Sequence, residues 1–294
     1  MSSKQSGLVM LYKPSGSTSF QALGSIKKKL KHGKVGHTGT LDKFAEGLLI
    51  VLAGKNTRLV PFFEGLDKSY LASIRFGAVT ETLDTESPEI EKCAVPDFDE
   101  IEAQLEHFMG TQEQVPPQYS AVHINGTRAY KRKMQGEEVD IPSRSITVHN
   151  FEIRDWTAPV LKLEIHCSKG TYIRALARDI GEAAGSRAYL QALKRTRIGP
   201  FRVEDSVLPE DFRVEEHLES VTPALLQLPG IVEKTIPESL VEKVLHGTPI
   251  QSDRFFKEDV QEGLYALMNP RQELCALAEL HNNQWKYRYV AERN

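Results

Sequence analysis

Between Gly33 and Asp42 the chain reads Gly33-Lys34-Val35-Gly36-His37-Thr38-Gly39-Thr40-Leu41-Asp42, with glycines at intervals of three. Glycine at that spacing lets main chain approach a ligand closely, and His37 and Asp42 place ionisable groups in the same turn. A carboxylate held ionised there can serve as a nucleophile or take a proton at neutral pH. Two other chemistries fit less well. A phosphate-cradling loop fails because no glycine lies five residues before Gly54-Lys55, and Asn56 stands where Ser or Thr would coordinate magnesium. A metal site on His32, His37 and Asp42 finds no further ligand cluster to complete it. The glycines alone would make only a tight turn, and an isolated Asp in a loop is most often a turn former.

The elements that must position this stretch can be read around it. Leu8 to Tyr12 reads as a short buried strand, and Ser17 or Thr18 can cap a helix carrying Phe20, Leu23, Ile26 and Leu30, with Gly33 as its stop. Gly33 to Asp42 is expected to be loop, Leu48 to Leu52 a fully buried strand, and Lys68 to Phe76 another strand. Asp97 with Glu100 forms a capping-box start for a helix bearing Ile101, Leu105 and Phe108. Pro116-Pro117 opens a segment with strand-like Tyr119 to Ile124, a turn at Gly126 and a basic helix-like run to Gln135. Leu161 to Cys167 alternates strictly in polarity, the mark of a half-buried strand, and after Gly170 a helix is expected from Tyr172 to Ala184. Strands and helices mix without a regular βαβ rhythm, which predicts an α+β fold with a mixed or antiparallel sheet. Beyond Leu228-Pro229-Gly230 come one short helix (Ser239 to Leu245) and strand-like runs at Leu264 to Met268, Cys275 to Leu280 and Trp285 to Val290, which suit a small β-rich domain.

Composition narrows the class. The 294 residues are 40% hydrophobic and 26% charged, enough for a sizeable core and against wholesale disorder. No apolar run approaches membrane-spanning length, and the first seven residues lack the apolar core of a signal peptide. Three scattered cysteines, Cys93, Cys167 and Cys275, indicate neither a disulfide framework nor a zinc cluster, so a reduced, cytoplasmic setting is expected. The net charge of −3 hides a strong asymmetry: ten acids and one base lie between Glu81 and Glu106, and seven acids and one base between Glu204 and Glu219. The rest is net basic, with clusters at Lys27-Lys28-Lys29, Lys131-Arg132-Lys133 and Lys194-Arg195. That distribution allows one phosphate-attracting face on a chain whose total charge argues against indiscriminate nucleic-acid binding.

His37-Thr38-Gly39-Thr40-Leu41-Asp42, followed by Ala45-Glu46-Gly47-Leu48-Leu49, closely resembles the catalytic motif of the tRNA pseudouridine-55 synthases, the TruB family. Further matches follow in order: Lys13-Pro14; Lys68-Ser69-Tyr70; Thr80-Glu81-Thr82-Leu83-Asp84; Val115-Pro116-Pro117-Gln118-Tyr119-Ser120-Ala121; Gly170-Thr171-Tyr172-Ile173-Arg174; and Leu190 to Thr196. The resemblance is strong from residue 8 to about 200 and weaker over the C-terminal part, which is similar to the family's small PUA-like RNA-binding domain. It implies a pseudouridine synthase catalytic domain over residues 1–230, with an RNA-clamping insertion at 116–146, and a PUA-like domain over 231–294. The implied reaction converts uridine to pseudouridine in the tRNA T-loop, without metal or organic cofactor, by a monomeric protein. By resemblance Asp42 is the essential carboxylate, Arg174 its partner, and Tyr70 the ring that stacks on the target base and assists proton movement at C5. Leu193 matches an apolar wall of the base pocket, Lys13 a position near its floor, and Gly39 and Thr40 belong to the same substrate-binding turn. His37 matches a residue that fills space among disrupted loop bases, as extrusion of the target base requires. Lys131, Arg132, Lys133 and Arg144 would contact phosphates of the T-arm.

The sequence departs from the family pattern at Lys43, where proline is usual, so a fixed backbone angle is absent beside the catalytic turn. Two further readings stay open at the level of sequence. One is an RNA-binding or RNA-folding factor on the same scaffold with little catalysis; the other is an enzyme acting on small nucleotides.

Overall fold

The computed structural model describes residues 6–30, 33–120, 123–124, 127–128, 141–250 and 261–292, with backbone alone at 123–124 and 127–128. Its frame is a sheet whose strands run in the order Gly7–Lys13, Glu46–Ala53, Ala188–Ile198, Lys68–Phe76, Val160–Cys167, Arg144–Thr157 and Gly110–Gln114. All neighbours along this path are antiparallel except Ala188–Ile198 with Glu46–Ala53, where Lys194 pairs Glu46 and Arg195 pairs Gly47 in parallel. The sheet is therefore mixed and largely antiparallel, and the α+β expectation holds.

Local chemistry accounts for the helices that flank it. Thr18 caps helix Ser19–Lys29 in a reciprocal box with Gln21, and Lys27, Lys28 and Lys29 fall in the last turn, where cations suit the helix dipole. Asp97 and Glu100 form the expected box ahead of helix Phe98–Leu105. Helix Ile173–Ala183 buries Ile173, Leu176, Ala177 and Ile180 on the main core, which also takes in Tyr70, Ile74, Leu163 and Leu190. Phe108, expected on the second of these helices, lies instead in a 3-10 turn that follows it.

Four stretches depart from the sequence reading. Gly33 to Asp42 is not wholly loop, because Val35–His37 pairs antiparallel with Glu46–Ala53. Tyr119 and Ser120 form a bend and His123–Ile124 is extended, so among the described residues the expected 119–124 strand is extended only in its last two. Arg144–Thr157 and Ala188–Ile198 are long strands that periodicity did not mark. Each carries two register shifts, which break the two-residue alternation that reveals a strand. The basic run beyond Gly126, with Lys131, Arg132 and Lys133, lies outside the described residues.

A second sheet, in the order Ile231–Thr235, Gly263–Met268, Leu274–His281 and Gln284–Val290, is flanked by helix Glu238–Leu245. It does not stand apart. Ala266, Met268, Leu277 and Tyr289 share one apolar cluster with Leu8, Leu48, Ile50 and Phe63 of the main sheet region. Within that cluster the Tyr289 hydroxyl donates to Asn56 Oδ1 at 2.6 Å, both residues being 5% exposed. Tyr289→Phe is expected to lower stability by about 1–3 kcal/mol, the cost of leaving a buried amide oxygen without its donor. A urea titration reads this as a lower midpoint at constant slope; an unchanged midpoint would contradict it.

Candidate active site

The catalytic-motif turn is pinned from three sides. Ser19, at the start of the first helix, holds Leu41 by two hydrogen bonds, Leu41 N to Ser19 Oγ at 3.0 Å and Ser19 Oγ to Leu41 O at 3.2 Å. Lys13, fully buried, donates from Nζ to the carbonyls of Ala45 (2.5 Å), Pro14 (3.1 Å) and Lys43 (3.4 Å). Gly16 N also donates to Lys43 O at 2.8 Å. The main chain at Lys43 is thus fixed by hydrogen bonds where a proline ring would have fixed it covalently. Gly39 takes φ +119°, which a β-carbon would disfavour, and its carbonyl accepts from Arg195 Nη2 at 3.2 Å.

Opposite the turn, helix Ile173–Ala183 begins at Tyr172, whose N–H and C=O are both taken by the side-chain amide of Gln114, at 2.9 and 3.1 Å. Two residues on, Arg174 enters the interior with only 5% of its surface exposed. A cation in the first turn opposes the helix dipole, so its burial needs strong partners. It has them. Nη2 donates to Asp42 Oδ1 at 3.2 Å and to Tyr119 O at 3.0 Å, and Nη1 donates to Thr82 O at 2.8 Å. Nε lies 2.9 Å from Asp42 Oδ2, and Nη1 lies 3.2 Å from Oδ2 of Asp84, which is 1% exposed.

These groups face a cavity of about 850 Å³ lined by Gly39, Thr40, Asp42, Tyr70, Arg144, Arg174 and Leu193 among others. Of the residues singled out by sequence, these seven are brought together. Lys13 lies beneath the turn rather than in the cavity wall, and His37 sits half-buried on its short strand with no partner for Nδ1 among the described residues. Arg144 stacks its guanidinium on the Tyr172 ring at 5.0 Å. Lys131 and Arg132 fall outside the described residues. Sequence reasoning gave no role to Asp84, Lys68, Arg195 or Ser120, which also line the cavity, although each sits inside a quoted motif.

Electrostatics in this cavity are set by lost water. Burial pushes the Asp42 carboxyl above its ordinary value; Arg174 pulls it down, Asp84 pushes it up, and the net direction is upward. Burial raises Tyr70 to about 12, so at neutral pH it is a phenol. Burial also lowers Lys13 and Lys68 to about 8, and it lowers His37, with Arg195 acting in the same direction. Arg195 spans the site: Nε donates to Leu48 O at 2.8 Å, and its strand position pairs directly with Tyr70. No group of three or more His, Cys, Asp or Glu able to hold a metal occurs among the described residues. Cys93, Cys167 and Cys275 are free thiols, and no described helix is long and apolar enough to cross a membrane.

Comparison with known proteins agrees with this architecture. Residues 27–173 match the model of the TruB family pseudouridylate synthase N-terminal domain, and residues 174–227 match that of the tRNA pseudouridylate synthase B C-terminal domain. The tRNA pseudouridine synthase B of Borreliella burgdorferi is 36% identical over 288 residues, covering 96% of this chain and 98% of that one. The protein of the same name from Clostridium kluyveri is 36% identical over 261 residues, 88% of this chain and 90% of its own. A solved H/ACA RNP bound to a substrate RNA containing 2'-deoxyuridine superposes with a TM-score of 0.72 over 99% of this chain and 85% of that chain, at 23% identity, which shows a shared fold. The chain belongs to the TruB family of pseudouridylate synthases and is an isomerase.

The opposing influences on Asp42 can be separated. Arg174→Gln is expected to move the Asp42 carboxyl further up, and Asp84→Asn to move it down, as followed by carbon-detected NMR titration of labelled aspartate. A titration midpoint that moves in neither variant would remove Arg174 and Asp84 from control of that carboxylate.

Proposed function

We propose that this protein isomerises uridine 55 to pseudouridine in the T-loop of tRNA, acting in the cytoplasm as a monomer. What carries the reading is one arrangement in a chain of this family: the Asp42 carboxylate, 36% exposed at the cavity, is ion-paired to a buried Arg174 and shares its cavity with Tyr70. The reaction breaks the bond between C1′ and N1, rotates the base, and joins C1′ to C5. The proton released from C5 is balanced by one gained at N1, so nothing enters or leaves overall.

Asp42 begins this sequence, either by attacking the sugar carbon or the pyrimidine, or by taking a sugar proton; each needs the ionised form. Arg174 supplies a fixed countercharge where water is scarce, which orients the carboxylate as well as charging it. Tyr70 offers an aromatic face to the extruded base and, as a phenol, a hydroxyl that can hydrogen-bond to it. Leu193 closes the apolar wall, His37 occupies space vacated in the loop, and Lys13 holds the turn that carries Asp42. Residues 1–230 would form the catalytic domain, with Lys131, Arg132, Lys133 and Arg144 holding T-arm phosphates, and residues 231–294 a PUA-like domain that extends the RNA footprint. The rival reading, an RNA-folding factor with little catalysis, is disfavoured because the ion pair and Tyr70 are assembled around one cavity.

Release of tritium from C5-labelled uridine in a T-arm hairpin tests the proposal. Wild type is expected to release it, and Asp42→Asn to bind the RNA while releasing none; near-normal turnover in that variant would overturn the mechanism. Because Asp42 sits above the ordinary carboxylate range, the active ionised form is lost as pH falls through that raised value. The acid limb of the rate is therefore expected at a pH above an ordinary aspartate's, which is about 3.9; a limb at or below it would contradict the assignment. Neutralising Lys131, Arg132 and Lys133 together should weaken RNA binding and flatten its salt dependence, and unchanged affinity across salt would remove them from the clamp.

A further inference from the structure

The first helix, Ser19–Lys29, carries an outward face that neither the fold nor the site uses. Ala22, Leu23 and Ile26 point into the core, whereas Phe20 is 84% exposed, far more than any other large apolar side chain among the described residues. At helical periodicity Phe20, Gly24, Lys27 and Lys28 share one face within about 100° of arc, over about 12 Å of helix. Gly24 leaves that face bare: a β-carbon there would meet nothing within 4 Å. Lys27 and Lys28 are exposed and make no ion pair or side-chain hydrogen bond with any described residue. Their neighbour Lys29 is different, since its ammonium is spent on the carbonyls of Glu210 and Phe212 at 2.8 and 2.6 Å.

The strip also has a fixed place relative to the chemistry. Ser19, adjacent to Phe20, is doubly hydrogen-bonded to Leu41, adjacent to Asp42. Thr40, on the same turn, is exposed and lines the cavity mouth. The helix that bears Phe20 and the turn that bears Asp42 are thus joined at adjoining residues, and the strip and the cavity belong to neighbouring segments.

We propose that the Phe20–Gly24–Lys27–Lys28 face is a docking strip for the RNA strand that continues from the nucleotide held in the cavity. Phe20 stacks on an unpaired base, Gly24 admits the backbone, and Lys27 and Lys28 meet successive phosphates. An exposed aromatic beside unpaired ammonium groups is the complement of a single-stranded polyanion. A protein partner fits less well, because Phe20 is the lone large apolar group on this face. The strip rests on the RNA-modifying reading above, since it needs RNA at Asp42.

Phe20→Ala and the double variant Lys27→Gln/Lys28→Gln, both solvent-facing, should fold normally. Each is expected to raise KM for full-length tRNA about tenfold, with kcat retained. In the double variant the slope of log affinity against log salt should fall by about 1.4–1.8, the loss of two phosphate contacts. Phe20→Tyr should keep wild-type KM, and the indole fluorescence of Phe20→Trp should be quenched by tRNA. KM and salt slope unchanged in both variants would overturn the strip; so would unchanged RNA affinity with an altered oligomeric state, which would assign the face to protein contact. Quenching is read by binding alone. If wild type binds tRNA but forms no pseudouridine, the functional reading fails while the strip is still decided by the fluorescence and salt slope.

Discussion

A guanidinium sunk into the first turn of a helix is electrostatically misplaced, because the helix already presents positive charge there. Arg174 is tolerable only because two carboxylates and two carbonyls converge on it from three separate segments: Asp42, the Thr82–Asp84 turn and Tyr119. Burial makes that contact set strict. Removing one partner from such a cluster leaves a charge in low dielectric, a much larger penalty than the loss of an exposed ion pair. The same cluster that lets Arg174 be buried therefore holds the carboxylate of the turn in one place.

The frame around this cluster works to the same end with neutral groups. Lys13 and Arg195 are buried cations that donate to main-chain carbonyls, among them those of Ala45 and Gly39 at the turn and of Leu48 in the strand that follows it. They convert sheet register into side-chain placement: Arg195 pairs Gly47 on one side and Tyr70 on the other. At Gly47 a β-carbon would come within 2.3 Å of the Arg195 carbonyl oxygen, so this close parallel crossing depends on glycine. The C-terminal sheet adds to the same body by sharing an apolar cluster with the strands that bear the site.

Much of this was legible in sequence, and the reasons differ by residue. The turn carrying Asp42 announced itself through glycines and ionisable groups packed into ten residues, and the cap of the first helix through the pair Ser17 and Thr18, of which the structure uses Thr18. Arg174 was legible only through the motif around it, since an arginine near a helix start reads by itself as exposed. Asp84 and Arg195 went unassigned because their importance lies in register and burial, which no local pattern encodes. Arg195 lies on a strand whose two register shifts erase alternation, and Asp84 on a turn-rich segment inside the most acidic stretch of the chain. The strand over Val35–His37 was missed for a related reason: its glycine weakened the strand signal while long-range pairing with Val51 to Ala53 supplied the structure.

The most direct test of the account is a crystal structure of the protein bound to a T-arm hairpin carrying 5-fluorouridine at the target position. The account predicts the base swung out of the RNA and lodged between Asp42 and Tyr70, with the contact between Asp42 and Arg174 intact. A base still stacked in its loop, or a carboxylate turned away from both the sugar and the guanidinium, would contradict it.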